Sequence, residues 1–322
     1  MTVCIAAVCN MGQADGTFVV AASDRMITIG DIEYEPEQSK AVELGSSTIG
    51  LFAGEMEVHA AVIPKARERI ADIVSERDPQ RLTVEEIAQA YALEFAYYRR
   101  VLAEREVLIP RGLDFDRWAR MQSTLPHYQV QEIDARLTTR QLNASAIIAG
   151  LDHTGPHIYK VRDPGVAESF DTPYFACIGT GSDIATTQFM LAKFEKRWPL
   201  ASALWLTFSA KARAEVAGGV GPQTDLIVVG PNKIVFVGAD QKDQLYRMFN
   251  DVTKKERAAQ DEAVANLTEY LGQTPHDPTQ QANQQATPDD PVTSKEDSAS
   301  PAVSAFARPV SRLRRKRSDQ AP

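Results

Sequence analysis

The order in which strand-length and helix-length apolar runs follow one another constrains this chain more than any other feature. TVCIAAVC, GTFVVAASD and STIGLFAG are apolar at consecutive positions over the length of a strand, as in sheets covered on both faces. The spacing then predicts two helices, over about 56–77 with Pro64 as a kink site, and over about 83–104, where Thr83 and Glu86 have capping-box spacing. After a less regular stretch over about 104–140, strands resume in NASAIIAGLD, PHIYKV and YFACIG. A second helix pair is expected over about 182–196 and 200–216, followed by strands TDLIVVG and KIVFVG and a polar helix over about 240–270. Two strand blocks, each followed by paired helices, with a hairpin signal at GPNK, argue for an α+β fold of antiparallel sheets, strand layer on strand layer with helices outside.

A chain of 322 residues, 43% of them hydrophobic, has room for a large core. Composition changes near residue 271, beyond which 7 of the 18 prolines fall and apolar periodicity stops. We therefore expect one domain over 2–270 and a disordered tail over 271–322. The tail ends in a basic cluster of Arg308, Arg312, Arg314, Arg315, Lys316 and Arg317. The net charge of −8 argues against nucleic acid as the main partner and no membrane partner is expected; the basic tail reads first as a solubilising segment, with docking to an acidic partner, a membrane surface or nucleic acid as the alternative. Cys4, Cys9 and Cys177 have no metal-type spacing, and an odd number without a secretory leader reads as a reduced, cytoplasmic chain. No apolar run approaches the roughly 18 to 20 residues needed to cross a bilayer. His153 and His157 are separated by Gly155 and Pro156 and cannot share a helix face, and His59 has no ligand at helical spacing, so no metal or cofactor is expected. GTGS lacks the Gly-Lys-Ser/Thr ending of a phosphate loop.

Thr2 stands directly behind Met1 and is small enough for methionine aminopeptidase to accept. Once Met1 is removed, it carries a nucleophilic hydroxyl and an α-amine a few ångströms apart, a nucleophile with its base attached. Further along come an acid, Asp24, in VVAASDR, a lysine, Lys40, in EQSKAVEL, a glycine, Gly54, in IGLFAGEME, and a glycine-flanked hydroxyl, Thr180, in CIGTGSDIA. Taken singly, Asp24 and Arg25 read as a strand-end turn with a salt bridge, Lys40 as a solvated edge lysine and Gly54 as a tight turn.

As an ordered set, with Lys40 sixteen positions after Asp24 and Gly54 fourteen after Lys40, these residues resemble the proteasome β subunits and their bacterial relatives, which are amino-terminal nucleophile (Ntn) hydrolases. SAIIAGLDHTGPHIYKV and GTGSDIATTQFML are also similar to the family, and the resemblance covers most of residues 2–240, with about 104–140 as an insertion. It implies a four-layer αββα sandwich and a threonine-type peptidase or amidase acting on peptides or unfolded protein within a homo-oligomeric ring, with an ATP-dependent unfoldase as a further partner. It assigns Thr2 as nucleophile, Lys40 as the nearby cation or base, Asp24 as its orienting partner, the Gly54 amide as an oxyanion donor, and Thr180 as a hydroxyl near the terminal amine. Asp225 departs from the family pattern and is read at a strand start. An α-amine of pKa about 7.7 is about 17% neutral at pH 7, against about 0.04% for lysine, which favours the amine as proton acceptor and leaves a direct base role for Lys40 open. A non-catalytic scaffold subunit and an Ntn amidohydrolase for a small amide are the other functions compatible with the same residues.

Overall fold

The computed structural model describes residues 2–10, 16–29, 32–76, 78, 81–231 and 233–273. The expected disordered tail with its basic cluster lies, from residue 274 onward, outside the described residues, as does Met1. The chain divides into a large unit, Met1–Ala258, and a second one, Ala259–Pro322, whose described part is the end of one long helix.

In chain order the elements are β1 (Cys4–Asn10), β2 (Thr17–Asp24), β3 (Ile27–Ile29), β4 (Ile32–Tyr34), β5 (Ala41–Gly45), β6 (Thr48–Gly54), α1 (Met56–Ser75) and α2 (Val84–Ala103). Then come α3 (Phe115–Met121), α4 (His127–Thr139), β7 (Ala144–Asp152), β8 (Gly155–Arg162), β9 (Val166–Ser169) and β10 (Phe175–Ile178). The remainder is α5 (Ser182–Leu191), α6 (Leu200–Ala214), β11 (Thr224–Gly230), β12 (Lys233–Phe236) and α7 (Ala239–Gln273). The strands form two five-stranded antiparallel sheets, ordered β10-β1-β2-β11-β12 and β5-β6-β7-β8-β9, and a small β3-β4 hairpin. The expected α+β class is what the structure has.

Strand alternation explains the unbroken apolar runs. In β1, Cys4, Ala6 and Val8 meet Ile49, Leu51 and Ile147 of the other sheet. Ile5, Ala7 and Cys9, half a period away, pack with Phe189 of α5 and Phe208 of α6. Phe52 and Ile148, on the outer side of the second sheet, pack against Val62 of α1 and Tyr91 of α2. Each fully buried side chain of this size contributes roughly 1.5 to 3 kcal/mol, so both faces of both sheets are held.

The helix signals translate directly. The Thr83 hydroxyl accepts from the Glu86 amide at 3.2 Å while the Glu86 carboxylate accepts from the Thr83 amide at 3.0 Å, the expected capping box. Pro64 lies inside α1, which runs on through it. The helix expected to reach 196 stops at Leu191, because Lys193 takes a left-handed conformation with φ 50°. The stretch 104–140 is more regular than its sequence suggested: a π-helical turn, α3 and α4 gather Val107, Leu108, Trp118, Ile133 and Leu137 into a small apolar cluster of their own. Among the described residues no helix is long and apolar enough to cross a membrane.

Candidate active site

Three of the five residues singled out in the sequence meet at one corner of the sheets. Thr2 and Val3 lead into β1, Asp24 ends β2, and Lys40 immediately precedes β5 of the other sheet. The β1–β2 register sets Cys4 opposite Ser23, and the Asp24 amide donates to the Val3 carbonyl at 3.3 Å, so Asp24 comes to lie beside the start of the chain. Packing of the two sheets then delivers Lys40 from the opposite layer. All three side chains are buried: Asp24 is 0% exposed, Thr2 1% and Lys40 5%.

The Thr2 hydroxyl donates to Asp24 Oδ1. Lys40 Nζ donates to Thr2 Oγ1 at 2.6 Å and faces both Asp24 oxygens at 3.1 and 3.0 Å, as well as the Met26 carbonyl. The amides of Val3 and Met26 donate to Asp24 Oδ1 and Oδ2, both at 2.9 Å, and that of Gly221 to Oδ2 at 3.3 Å. A buried carboxylate is costly unless its lone pairs are filled, and these donors fill them. Four oxygens stand within hydrogen-bond reach of Lys40 Nζ, and the Asp24 carboxylate among them forms its ion pair. This places a hydroxyl oxygen against a fixed positive charge, where a developing alkoxide is stabilised.

Gly54 closes β6 and lines the same cavity as Thr2 and Lys40, a space of about 560 Å³. Its φ is +96°, and a Cβ there would stand 2.0 Å from the Asn143 carbonyl oxygen, so no other residue fits.

Thr180 is not brought into the cluster. It is exposed in the turn between β10 and α5, and no hydrogen bond joins its hydroxyl to Thr2, Asp24 or Lys40. The glycines beside it are what reach Thr2. The Gly181 amide donates to the Thr2 carbonyl at 3.2 Å, and Gly179, at φ +91°, passes so close that a Cβ would lie 2.2 Å from that oxygen. The structure also separates Arg25 from Asp24: its guanidinium pairs with Asp225, the second residue of β11, Nε lying 3.0 and 3.1 Å from the two carboxylate oxygens.

Sequence reasoning missed Lys211. It lies in α6, 0% exposed, and donates to Glu215 at 2.8 Å and to the carbonyls of Gly221 and Pro222 at 2.7 and 3.0 Å. Burial pulls its ammonium below lysine's ordinary value, against the opposing charge of Glu215. Lys211 thereby fixes the loop whose Gly221 amide faces Asp24. Its sequence signal was there: Lys211 follows Thr207 by four positions and Phe208 by three, inside the buried stripe of the helix.

Cys4, two residues from Thr2, is a buried core thiol. Burial first, and the Asp24 charge after it, push its thiol up to about 12, while its Sγ rests 3.5 Å from the Phe52 carbonyl. Neighbouring His59 is a core histidine: Nε2–H donates to the Ala53 carbonyl at 2.9 Å, which leaves Nδ1 to accept from the Tyr91 hydroxyl at 2.7 Å. Among the described residues no group of three or more His, Cys, Asp and Glu side chains is arranged to hold a metal ion. The chain matches no family model and no curated protein sequence.

Proposed function

We propose that this protein is an Ntn hydrolase of the proteasome-like kind, a four-layer αββα sandwich in which Thr2, freed by removal of Met1, cleaves peptide or amide bonds. One observation carries the reading: a hydroxyl at the start of the chain, a paired ammonium and a buried carboxylate converge within hydrogen-bond distance on the wall of a cavity. The two sheets joined through a shared apolar layer and covered by α1/α2 and α5/α6 support the architecture.

In this scheme the Thr2 hydroxyl gives its proton to its own α-amine as Oγ bonds to the substrate carbonyl carbon. The oxyanion that forms is stabilised by the Lys40 charge and by a backbone amide at Gly54. Collapse breaks the C–N bond, the leaving amine takes the proton from the α-ammonium, and water then hydrolyses the acyl-threonine by the same route in reverse. Lys40 is engaged by Asp24 and the Met26 carbonyl, so it serves as a charge and the amine as the base. Asp24 is a positioning residue that keeps Lys40 in place. Substrate peptides or unfolded chains, assembly into a homo-oligomeric ring and delivery by an ATP-dependent unfoldase belong to the same proposal.

The test is Thr2→Ala assayed on fluorogenic peptides beside the wild-type chain, with intact mass measured on both. We expect loss of all hydrolysis with stability lowered by only about 1 kcal/mol, since Lys40 keeps its Asp24 and Met26 partners. Turnover surviving in the variant, or Met1 retained in an active wild-type protein, overturns the proposal.

A further inference from the structure

The long helix α7 reaches back to the carboxylate of the candidate site. Thr224, the first residue of β11, stands opposite Asp24 in the β2–β11 ladder, and the loop just before it offers Asp24 the Gly221 amide at 3.3 Å. The position of that loop therefore decides whether one Asp24 oxygen is filled. Gly221 has no room for a side chain, since a Cβ would stand 1.7 Å from Glu35 Oε1 and 3.0 Å from Met26 Cβ. Pro222 has no amide to bond with, so the segment is held chiefly through its carbonyls.

Lys211 supplies donors from α6, and a second set comes from α7. The Tyr246 hydroxyl donates to the Pro222 carbonyl and, its one proton spent, accepts from the Thr224 hydroxyl 2.6 Å away. One turn earlier, Lys242 Nζ donates to the Thr224 carbonyl at 2.9 Å. The Tyr246 ring is fixed apart from its hydroxyl, edge-on to Phe208 with centroids 4.8 Å apart and planes at 82°. Burial pushes its phenol up to about 12 against the opposing Thr224 hydrogen bond, so at neutral pH it is a donor.

We propose that Tyr246 is a positioning residue for the reaction: it clamps residues 221–224 from α7 so that the Gly221 amide stays on Asp24, which keeps Lys40 against Thr2. The inference rests on Thr2 being the nucleophile. The clamp bears on turnover more than on folding, because Pro222 keeps a second donor, Lys211 Nζ at 3.0 Å, when the phenol is gone. Tyr246 and Thr224 lie outside the lining of the cavity beside Thr2, so substrate binding is spared.

The experiment compares the full wild-type chain with Tyr246→Phe, which keeps the ring, and with Phe249→Leu, which loosens the same helix against Phe208 and keeps the hydroxyl. On a fluorogenic peptide we expect kcat of Tyr246→Phe to fall roughly tenfold with KM within about twofold, and kcat of Phe249→Leu to stay within about twofold of wild type. Hydrogen exchange over 220–224 should be at least about fivefold faster in Tyr246→Phe. An unchanged kcat in Tyr246→Phe, a loss carried by KM, an equal loss in Phe249→Leu, or a fall in kcat without faster exchange overturns this role and leaves the nucleophile in place. A wild-type chain that hydrolyses nothing overturns the Thr2 reading and this role with it.

Discussion

The ammonium of Lys211 lies 2.7 Å from the carbonyl oxygen of Gly221, and the amide of that same glycine points to Asp24 at 3.3 Å. One buried side chain in a helix therefore holds the loop that helps to fill the Asp24 lone pairs. Lys211→Met removes the donor and leaves Glu215 and the Gly221 carbonyl without it. We expect a loss of about 3 kcal/mol in urea denaturation, since a broken buried charge pair leaves its partner uncompensated. Under the proposed function, a fall in kcat with KM little changed would accompany it, because Asp24 loses an orienting contact while the cavity walls stay in place. A variant as stable as wild type would remove Lys211 from this role.

Asp24→Asn tests the buried pair from the other side. The amide offers one oxygen where two accepted, and Lys40 is left charged and buried. The expected cost is about 3 to 5 kcal/mol, by chemical denaturation. Adding Lys40→Met removes the stranded charge, so the double variant should be more stable than Asp24→Asn alone. Additive losses would show that the two side chains are not coupled.

Gly54→Ala places a methyl group against the Asn143 carbonyl oxygen in a conformation that alanine avoids. A destabilisation of at least about 2 kcal/mol is expected from thermal or urea unfolding, because the obstacle is backbone of the neighbouring strand and cannot swing aside. An unchanged midpoint would mean that β6 and β7 separate easily at this end.

The buried imidazole of His59 gives stability a pH dependence of known sign. Burial holds its pKa at about 4, against an ordinary 6.5. The unfolded chain takes up this proton first as pH falls, so the contribution is complete above pH 6.5 and is lost progressively toward pH 4. Comparing unfolding free energies at pH 7.5 and 4.5, the loss should be about 2 to 3 kcal/mol greater for the wild type than for His59→Gln. Parallel pH profiles for the two proteins would contradict the assignment.

Much of this was legible in the chain because periodicity reports burial directly. The central residues of β1, β2, β6 and β7 are apolar at consecutive positions, and both faces of those strands are covered. Asp24, Lys40 and Gly54 stood out only as an ordered set at family-like intervals, and the structure sets each of them where a strand begins or ends. Thr180 misled because a hydroxyl draws attention where the working parts are its two glycines, which let the turn approach the Thr2 carbonyl. Arg25 reads as the partner of its neighbour Asp24, yet its partner is 200 positions away, and no local pattern encodes that. Lys211 went unread in part for a similar reason: although Glu215 stands four positions on, its other acceptors are the Gly221 and Pro222 carbonyls, and carbonyls have no letter in a sequence.

The cluster draws one group from the threshold of β1, one from the end of β2 and one from the threshold of β5 in the facing sheet. A nascent or partly unfolded chain holds these groups tens of residues apart, with water around each of them. Under the proposed function, reactivity would be conferred by tertiary closure alone, and a polypeptide that fails to fold would carry no competent nucleophile with which to damage its neighbours.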